Sequence, residues 1–389
     1  MAAALDTDFI GRKGALFGLA LRLSILTVVT LGFYRFWMKT RLRRWYWSAI
    51  RPGGHPLEYT GDPLEKLLGF LIAVVFLSFY IGVFNLILMF FSFSYLGDNF
   101  VAYAASFVIV IPFIFFAQYR ARRYMLARTR WRGIRFGLEP GAWGYAWRAM
   151  VYWALTIVTL GALWPLMTFR LEKFRTDRTW FGSARLYQGG RWTALVLPAL
   201  PALLCLWGTL ALGLVAAVTE DPTPVLGLVL ILPLLGIAWV HYRLRALRYL
   251  TETKRLGEDV GLTLHPRLGR VLAITVFGHL LVGLFRGLLL GGVGVAVGIV
   301  LGIGAAGGVD FEALPPWVFV VAGMVAYFGG FILWDVLRQV FVRMPLLAHY
   351  VATLEIDNAH ALAPLAQRER DDFADAGGFA EALDVGAAL

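Results

Sequence analysis

The residues of this 389-residue chain with types suited to chemistry are six histidines, one cysteine and a few polar side chains inside apolar runs. His55, His241, His265, His279, His349 and His360 include no pair four apart with a glutamate between, the spacing by which one helix face holds zinc. Cys205 stands alone in the apolar run 195–218, so neither a disulfide framework nor a cysteine metal site can be built. Gly302-Ile303-Gly304-Ala305-Ala306-Gly307 fits a dinucleotide fingerprint by letter, but it ends a hydrophobic helix and follows no strand. The sequence therefore offers no catalytic residue, no cofactor site and no metal site, and the expectation is a protein that is not an enzyme.

Polar groups inside hydrophobic segments are more informative, because a charge at the bilayer centre costs about 2.5–3.5 kcal/mol on insertion scales. Arg286 lies deep in its apolar segment, and His279, seven residues earlier, shares its helix face. Asp335 sits near the end of the neighbouring segment and is better matched in depth to His279 than to Arg286. These three residues, with Arg22 and Arg148, form the candidate intramembrane polar site: a polar pathway or anionic-lipid site on one reading, a structural cluster on the other. For Arg22 and Arg148 alone, snorkelling to the headgroups is the expectation. Two glycine runs at four-residue spacing, Gly283, Gly287, Gly291 and Gly294, Gly298, Gly302, predict close helix packing against an intramolecular partner, with self-association into a homo-oligomer as the sharper alternative.

These residues must be positioned by membrane-spanning elements. Apolar residues make up 59% of the chain and charged ones only 16%, with Lys and Arg outnumbering Asp and Glu by 36 to 25. That excludes an ordinary soluble enzyme. Basic excess in an apolar chain points to anionic membrane lipids as partners. It excludes nucleic acid, which would need the basic residues on a long soluble stretch. Residues 1–13 lack the order of a cleaved signal peptide, so the first hydrophobic segment is expected to remain.

Six stretches are long enough to cross a bilayer, at about 66–91, 101–119, 194–218, 225–242, 271–304 and 317–337. They form three pairs whose connections contain Asp98, Glu220, Asp221, Asp310 and Glu312 and no basic residue, while seven arginines crowd 120–135 and five arginines with Lys173 crowd 170–191. Basic residues favour the cytoplasmic side, so both termini and all basic stretches are placed there. The segment 142–169 lies between two basic stretches and must cross an even number of times, yet is too short for two spans. A broken or re-entrant segment bending at Thr159-Leu160-Gly161 resolves this, with Pro165 starting the second half, and 15–38 should do likewise at Thr30-Leu31-Gly32.

A recurring order of parts is also legible: a short alternating strand, an apolar helix or pair, then a basic helix ending in an aromatic. Strands are predicted at 8–11, 57–61, 134–138, 184–189 and 261–266, and 45–50 and 249–256 read as further strands leading into hairpin turns. The last strand, 350–356, would be unpaired or would pair with the first and close a ring. The predicted fold is thus an all-α polytopic membrane protein with six full spans and two broken or re-entrant segments. About five units (8–50, 57–127, 134–183, 184–250, 261–357) form one membrane domain over 1–357, with short cytoplasmic β-hairpins. A mobile acidic tail over 358–389 would follow.

At the bend the sequence becomes specific. Thr30, Leu31, Gly32, Tyr34, Trp37, Lys39 and Arg41, repeated loosely as Thr159, Leu160, Gly161, Trp164 and Pro165, resemble the TLG-Y-P-W-(x)-K-x-R signature of the YjgN-like family of bacterial inner-membrane proteins. Arg35 stands where the family usually has Pro, and Pro165 keeps it in the second copy. The resemblance covers about 8–357 and implies a multi-pass inner-membrane protein with no biochemical activity to carry over. It also implies a membrane metalloprotease as partner, since relatives are often encoded near one. Two functions fit: transport, channel or lipid handling, or a non-catalytic scaffold or assembly partner.

Overall fold

The structure, a computed structural model, describes residues 4–96, 100–306 and 316–368. The expected acidic connections at Asp98, Asp310 and Glu312, and the tail from 369 onward, lie outside the described residues.

Ten short strands and long helices alternate. In order they are β1 (Leu5–Phe9), α1 (Lys13–Val29), α2 (Arg35–Ala49), β2 (Ile50–Pro52), β3 (Leu57–Tyr59), α3 (Pro63–Leu96), α4 (Phe100–Ala127), β4 (Thr129–Trp131), β5 (Ile134–Leu138), α5 (Ala142–Val158) and α6 (Trp164–Thr176). Then follow β6 (Thr179–Phe181), β7 (Ala184–Gln188), α7 (Val196–Thr219), α8 (Leu228–Glu252), β8 (Lys254–Leu256), β9 (Val260–Leu264), α9 (Leu268–Ala306) and α10 (Pro316–Arg338). A π turn, Gln339–Arg343, leads into α11 (Met344–Val351) and β10 (Leu354–Ile356).

All ten strands join one antiparallel sheet in the order β2-β1-β10-β9-β8-β7-β6-β5-β4-β3. Its two end strands, β2 and β3, are consecutive in the chain and linked by residues 53–56, so the ribbon closes into a ring with one unladdered seam. Of the two alternatives for the last strand, pairing with the first is the one present: Leu5 pairs with Ile356 and Asp6 with Glu355. Hairpin chemistry explains the tight links. Arg132 and Gly133 both adopt positive φ, as a two-residue type I′ turn demands. Side chains alternate across each strand, so one face gathers Leu5, Leu57, Trp131, Phe181, Val260 and Ile356 into an apolar lining, while Asp6, Glu58, Arg130, Arg185 and Arg255 take the other.

Several predicted boundaries move. Residues 45–49 are helical, as are 249–252, so the strands there shorten to β2 and β8. Aromatic Tyr46 and Trp47 read as strand formers, but on a helix both reach the buried core with Leu16, Leu23 and Val336, and that packing overrides propensity. The first strand spans Leu5–Phe9 rather than 8–11. The last is three residues long and is paired on both edges, to β1 and β9.

At both TLG sequences the chain turns back on itself. Leu31 and Gly32 have φ of 51° and 93°, and Leu160 and Gly161 have 48° and 90°. Gly32 N–H donates to the Thr27 carbonyl, and Gly161 N–H to the Thr156 carbonyl, both at 2.7 Å. The Thr30 hydroxyl accepts from Tyr34 N–H at 2.9 Å, as that of Thr159 accepts from Leu163 N–H at 3.3 Å. Inside each hairpin a threonine hydroxyl meets a methionine sulfur, Thr27 to Met38 at 3.7 Å and Thr156 to Met167 at 3.8 Å. This register sets Pro165 opposite Phe36, not Arg35, and the bend is the same without the proline.

Four helices among the described residues are long and apolar enough to cross a membrane: Pro63–Tyr95, Trp192–Thr219, Thr223–Glu252 and Leu268–Gly292. Their apolar surfaces face outward; in the most apolar window of the first, only 6% is buried. α4 and α10, expected as the remaining two spans, are helical, but many of their side chains lie outside the described residues.

The expected mobile tail begins instead as a packed segment. Residues 359–368 run from β10 across the ring's apolar lining, with Leu362 7% exposed among Trp131, Phe181 and Val260.

Candidate functional site: a basic cavity beside the first hairpin

Arg35, Lys39 and Arg43 recur at four-residue spacing and share one face of α2. Asp335, Gln339 and Arg343 recur at the same spacing from the end of α10 through the π turn. All six line one cavity of about 290 Å³. α1 contributes Ser24, Thr27 and Val28, and apolar Leu42, Phe331 and Ile332 complete the wall. From Arg35 to Tyr46, eleven residues at 1.5 Å rise, the cavity follows α2 for about 16 Å.

The ring-facing end is closed by Tyr46, whose hydroxyl donates to Gln339 Oε1 at 2.9 Å and approaches the Gln339 carbonyl at 3.5 Å. That carbonyl also accepts from Met344 N–H, the i to i+5 bond of the π turn. Such widened turns concentrate at functional sites. Here the turn carries Arg343 onto the cavity wall. Burial raises the Tyr46 pKa, with Arg343 opposing and Asp335 reinforcing, so the phenol is a neutral donor. Burial and the neighbouring Arg338 lower the Arg343 pKa, against Asp335 and Tyr46.

A second charged centre is structural. Glu172 accepts from Lys254 Nζ and Arg175 Nη2, each at 2.7 Å, with Arg122 at 3.7 Å. Burial alone would raise its pKa, but Lys254, Arg175 and Arg122 together hold it well below the ordinary carboxylate range. The ion group ties α4, α6 and β8 together. A largely apolar cavity of about 440 Å³ lies between α6, α7 and α8, lined by Trp164, Leu203, Leu206, Trp239 and Tyr242.

The sequence-predicted site does not assemble as one cluster. His279 is exposed and its Nδ1 lies 2.7 Å from the Thr275 carbonyl of its own helix. Arg286 is exposed too, and its guanidinium stacks 5.6 Å over the Trp334 ring. Asp335 alone reaches the basic cavity, from the side of α10 that faces α1 and α2. Arg22 is exposed; Arg148 bonds the Gly144 carbonyl at 3.0 Å and stacks 4.8 Å over Phe174.

Of the motif residues, Thr30, Leu31, Gly32, Thr159, Leu160 and Gly161 build the bends, while Lys39 lines the cavity. Tyr34 stacks on Trp37 at 5.8 Å with Arg41 5.9 Å above it, Trp164 meets Trp239 edge-on at 4.8 Å, and Pro165 is buried at the start of α6. The glycine stripe has no intramolecular partner where it is described: a Cβ on Gly283, Gly287, Gly291 or Gly294 would meet nothing within 4 Å. What surrounds Gly298 and Gly302 lies outside the described residues. Close approach is made instead at Gly278, whose Cβ would fall 2.7 Å from the Phe341 carbonyl oxygen.

Sequence reasoning missed Arg35, Arg43, Tyr46, Gln339 and Arg343 as site residues. The four-residue basic stripe on α2 was visible; that a stripe almost 300 residues away faces it was not.

These elements define a class, a predominantly helical protein with several helices fit to span a membrane, gathered on a strand ring. The chain belongs to the family described as bacterial protein of unknown function, DUF898, which matches residues 4–291 and bears out the resemblance carried by the TLG motif. No curated protein and no solved structure matches it.

Proposed function

We propose that this chain is a multi-pass protein of the bacterial inner membrane that handles lipid, holding an anionic phosphate headgroup in the cavity between α2 and the end of α10. One observation carries this reading: four cations, Arg35, Lys39, Arg43 and Arg343, line one cavity together with Asp335 and beside apolar Val28, Phe331 and Ile332. Guanidinium and ammonium groups bind phosphate through charge-assisted hydrogen bonds, about twice the strength of neutral ones. Ligand pockets hold about 300–1,000 Å³. At about 290 Å³ the cavity suits a headgroup with its acyl chains left in the bilayer.

Topology supports the membrane placement. Every helix pair leaves the strand ring and returns to it, and the first and last strands pair in that ring, so β1 and β10 share its side. The arginine-rich helix ends gather there, which favours the cytoplasmic side. On this reading α3, α4, α7, α8, α9 and α10 make six crossings, and the recurring order of strand, two helices and strand reflects five related units. α1 and α5, each 17 residues, reach about 26 Å, short of the roughly 30 Å hydrocarbon core. Their exposed apolar tips, Val29 at 72% and Val158 at 80%, fit re-entrant hairpins that enter the bilayer and turn back.

The test is native mass spectrometry of the purified protein with its retained lipids. Phosphatidylglycerol or cardiolipin is expected in the wild type, with retention lowered about tenfold by Arg343→Ala or Lys39→Ala, the equivalent of about 1.4 kcal/mol. Asp335→Asn, which removes a carboxylate from the cavity wall, should raise retention. An identical bound set in all four folded proteins would overturn the site. For topology, a cysteine introduced within 176–190 should be labelled only from the cytoplasmic side; labelling from outside would refute the re-entrant arrangement.

A further inference from the structure

The strand ring is complete without residues 359–368, yet those residues fill its mouth. After β10 the chain enters a short 3-10 turn, Ala359–Leu362, in which Ala361 N–H donates to the Asn358 carbonyl and Ala363 N–H to the His360 carbonyl. It adds no strand to the sheet. Leu362, 7% exposed, joins the buried cluster of Trp131, Phe181, Val260 and Ile356.

Beyond Leu362 the segment is held at the far side by turn atoms. Ala366 N–H donates to Ser183 Oγ at 3.3 Å, Gln367 Oε1 accepts from Arg135 N–H at 2.9 Å, and the Arg368 guanidinium lies 5.0 Å over the Trp180 ring. The β6–β7 turn is shaped for this approach: a Cβ on Gly182 would strike the Ala366 carbonyl. The segment therefore crosses from the β9–β10 edge to the β5–β7 turns, about half-way round the ring.

We infer that the mouth of the ring is a peptide-binding surface, and that residues 359–368 are an exchangeable plug whose place a short apolar segment of a partner protein, ending in a polar residue and a cation, takes. The geometry is that of an anchor in a pocket. One aliphatic side chain is enclosed by aromatic and branched neighbours, and the rim offers a few polar grips to peptide groups. Without the plug, Trp131, Phe181, Val260 and Ile356 would face water as a continuous apolar patch, the kind of surface that marks a protein contact. Tethering gives the plug an effective concentration in the millimolar range, so a partner must bind in competition with it.

The test uses the full chain in nanodiscs and a fluorescent peptide of its own residues 357–368. Leu362→Glu in the chain drives its own plug out; that protein should bind the wild-type peptide about tenfold or more tighter than the wild-type chain does. The peptide carrying Leu362→Glu should not bind, and Gln367→Ala in the peptide should weaken binding several-fold. Equal peptide affinity for the folded Leu362→Glu and wild-type chains would overturn the proposal. Hydrogen exchange on the wild type checks it without any variant: the Ala366 and Arg135 amides should exchange at least about tenfold faster than the ladder amides of Phe136 and Phe181. Equal rates would show that the segment opens only when the ring does, and would sink the exchange idea.

Discussion

Tyr46 and Gln339 meet across 293 positions of sequence, the phenol donating to the side-chain carbonyl at 2.9 Å. This bond fastens the first helical hairpin to the π turn that ends α10, and it forms the floor of the basic cavity. Tyr46→Phe deletes the donor and leaves Gln339 Oε1 buried without it, a cost of about 1–3 kcal/mol. The expected result is a lower thermal midpoint in detergent together with reduced retention of anionic lipid. An unchanged midpoint would show that the π turn holds its place by packing alone.

The two TLG bends separate backbone strain from packing. A side chain at the positive φ of Gly32 or Gly161 costs about 1–3 kcal/mol in either hairpin. Only at Gly161 would the new Cβ also meet a neighbour, Leu206 at 3.0 Å; around Gly32 there is nothing within 4 Å. Gly161→Ala is therefore expected to lower thermal stability more than Gly32→Ala. Equal losses would assign the whole effect to the backbone.

Glu172 is the carboxylate shared by three cations, Lys254, Arg175 and Arg122. Breaking a buried ion pair by removing one partner costs about 3–5 kcal/mol, because the remaining charge is left without compensation. Glu172→Gln should accordingly destabilise the fold strongly, and Lys254→Met in the same chain should restore part of the loss. The double variant's melting curve, compared with that of Glu172→Gln, measures the coupling.

His349 predicts an acid-sensitive joint. Its Nε2 accepts the Arg267 N–H at 3.0 Å, which requires the neutral ring. Burial lowers its pKa, and Arg270 and Arg267 lower it further. A histidine with a depressed folded pKa contributes stability that is fully present above its unfolded value of about 6.5 and is lost as pH falls through the folded value. The melting temperature should thus fall on acidification below about pH 6.5. His349→Gln, which keeps an acceptor and cannot titrate, should flatten that dependence.

Much of the architecture was legible because local chemistry and long-range structure agree. The alternation of 134–138 is β5 to the residue, and the TLG turns sit where charge parity required the chain to reverse. Elsewhere tertiary packing overruled local preference, as where Tyr46 and Trp47 extend a helix that their β-propensity argued against. The cavity was hidden for a different reason. Its basic half lies on α2 and its other half on α10, and one sequence holds no register between two such distant stripes. The plug escaped notice because the acidic composition after 368 was read back onto the apolar residues before it.

The pairing of β1 with β10 also sets an order of events in synthesis. Leu5 leaves the ribosome before any of α1 to α11, and its partner Ile356 emerges only after α11. Until then the edges of β1 and β9 that β10 will cover stay open, and unpaired edges recruit foreign strands. A message truncated before codon 354 would yield a protein with its helices inserted and its ribbon still open. Quality-control proteases could recognise such a chain by those edges, making ring closure the checkpoint that separates a finished molecule from an abandoned one.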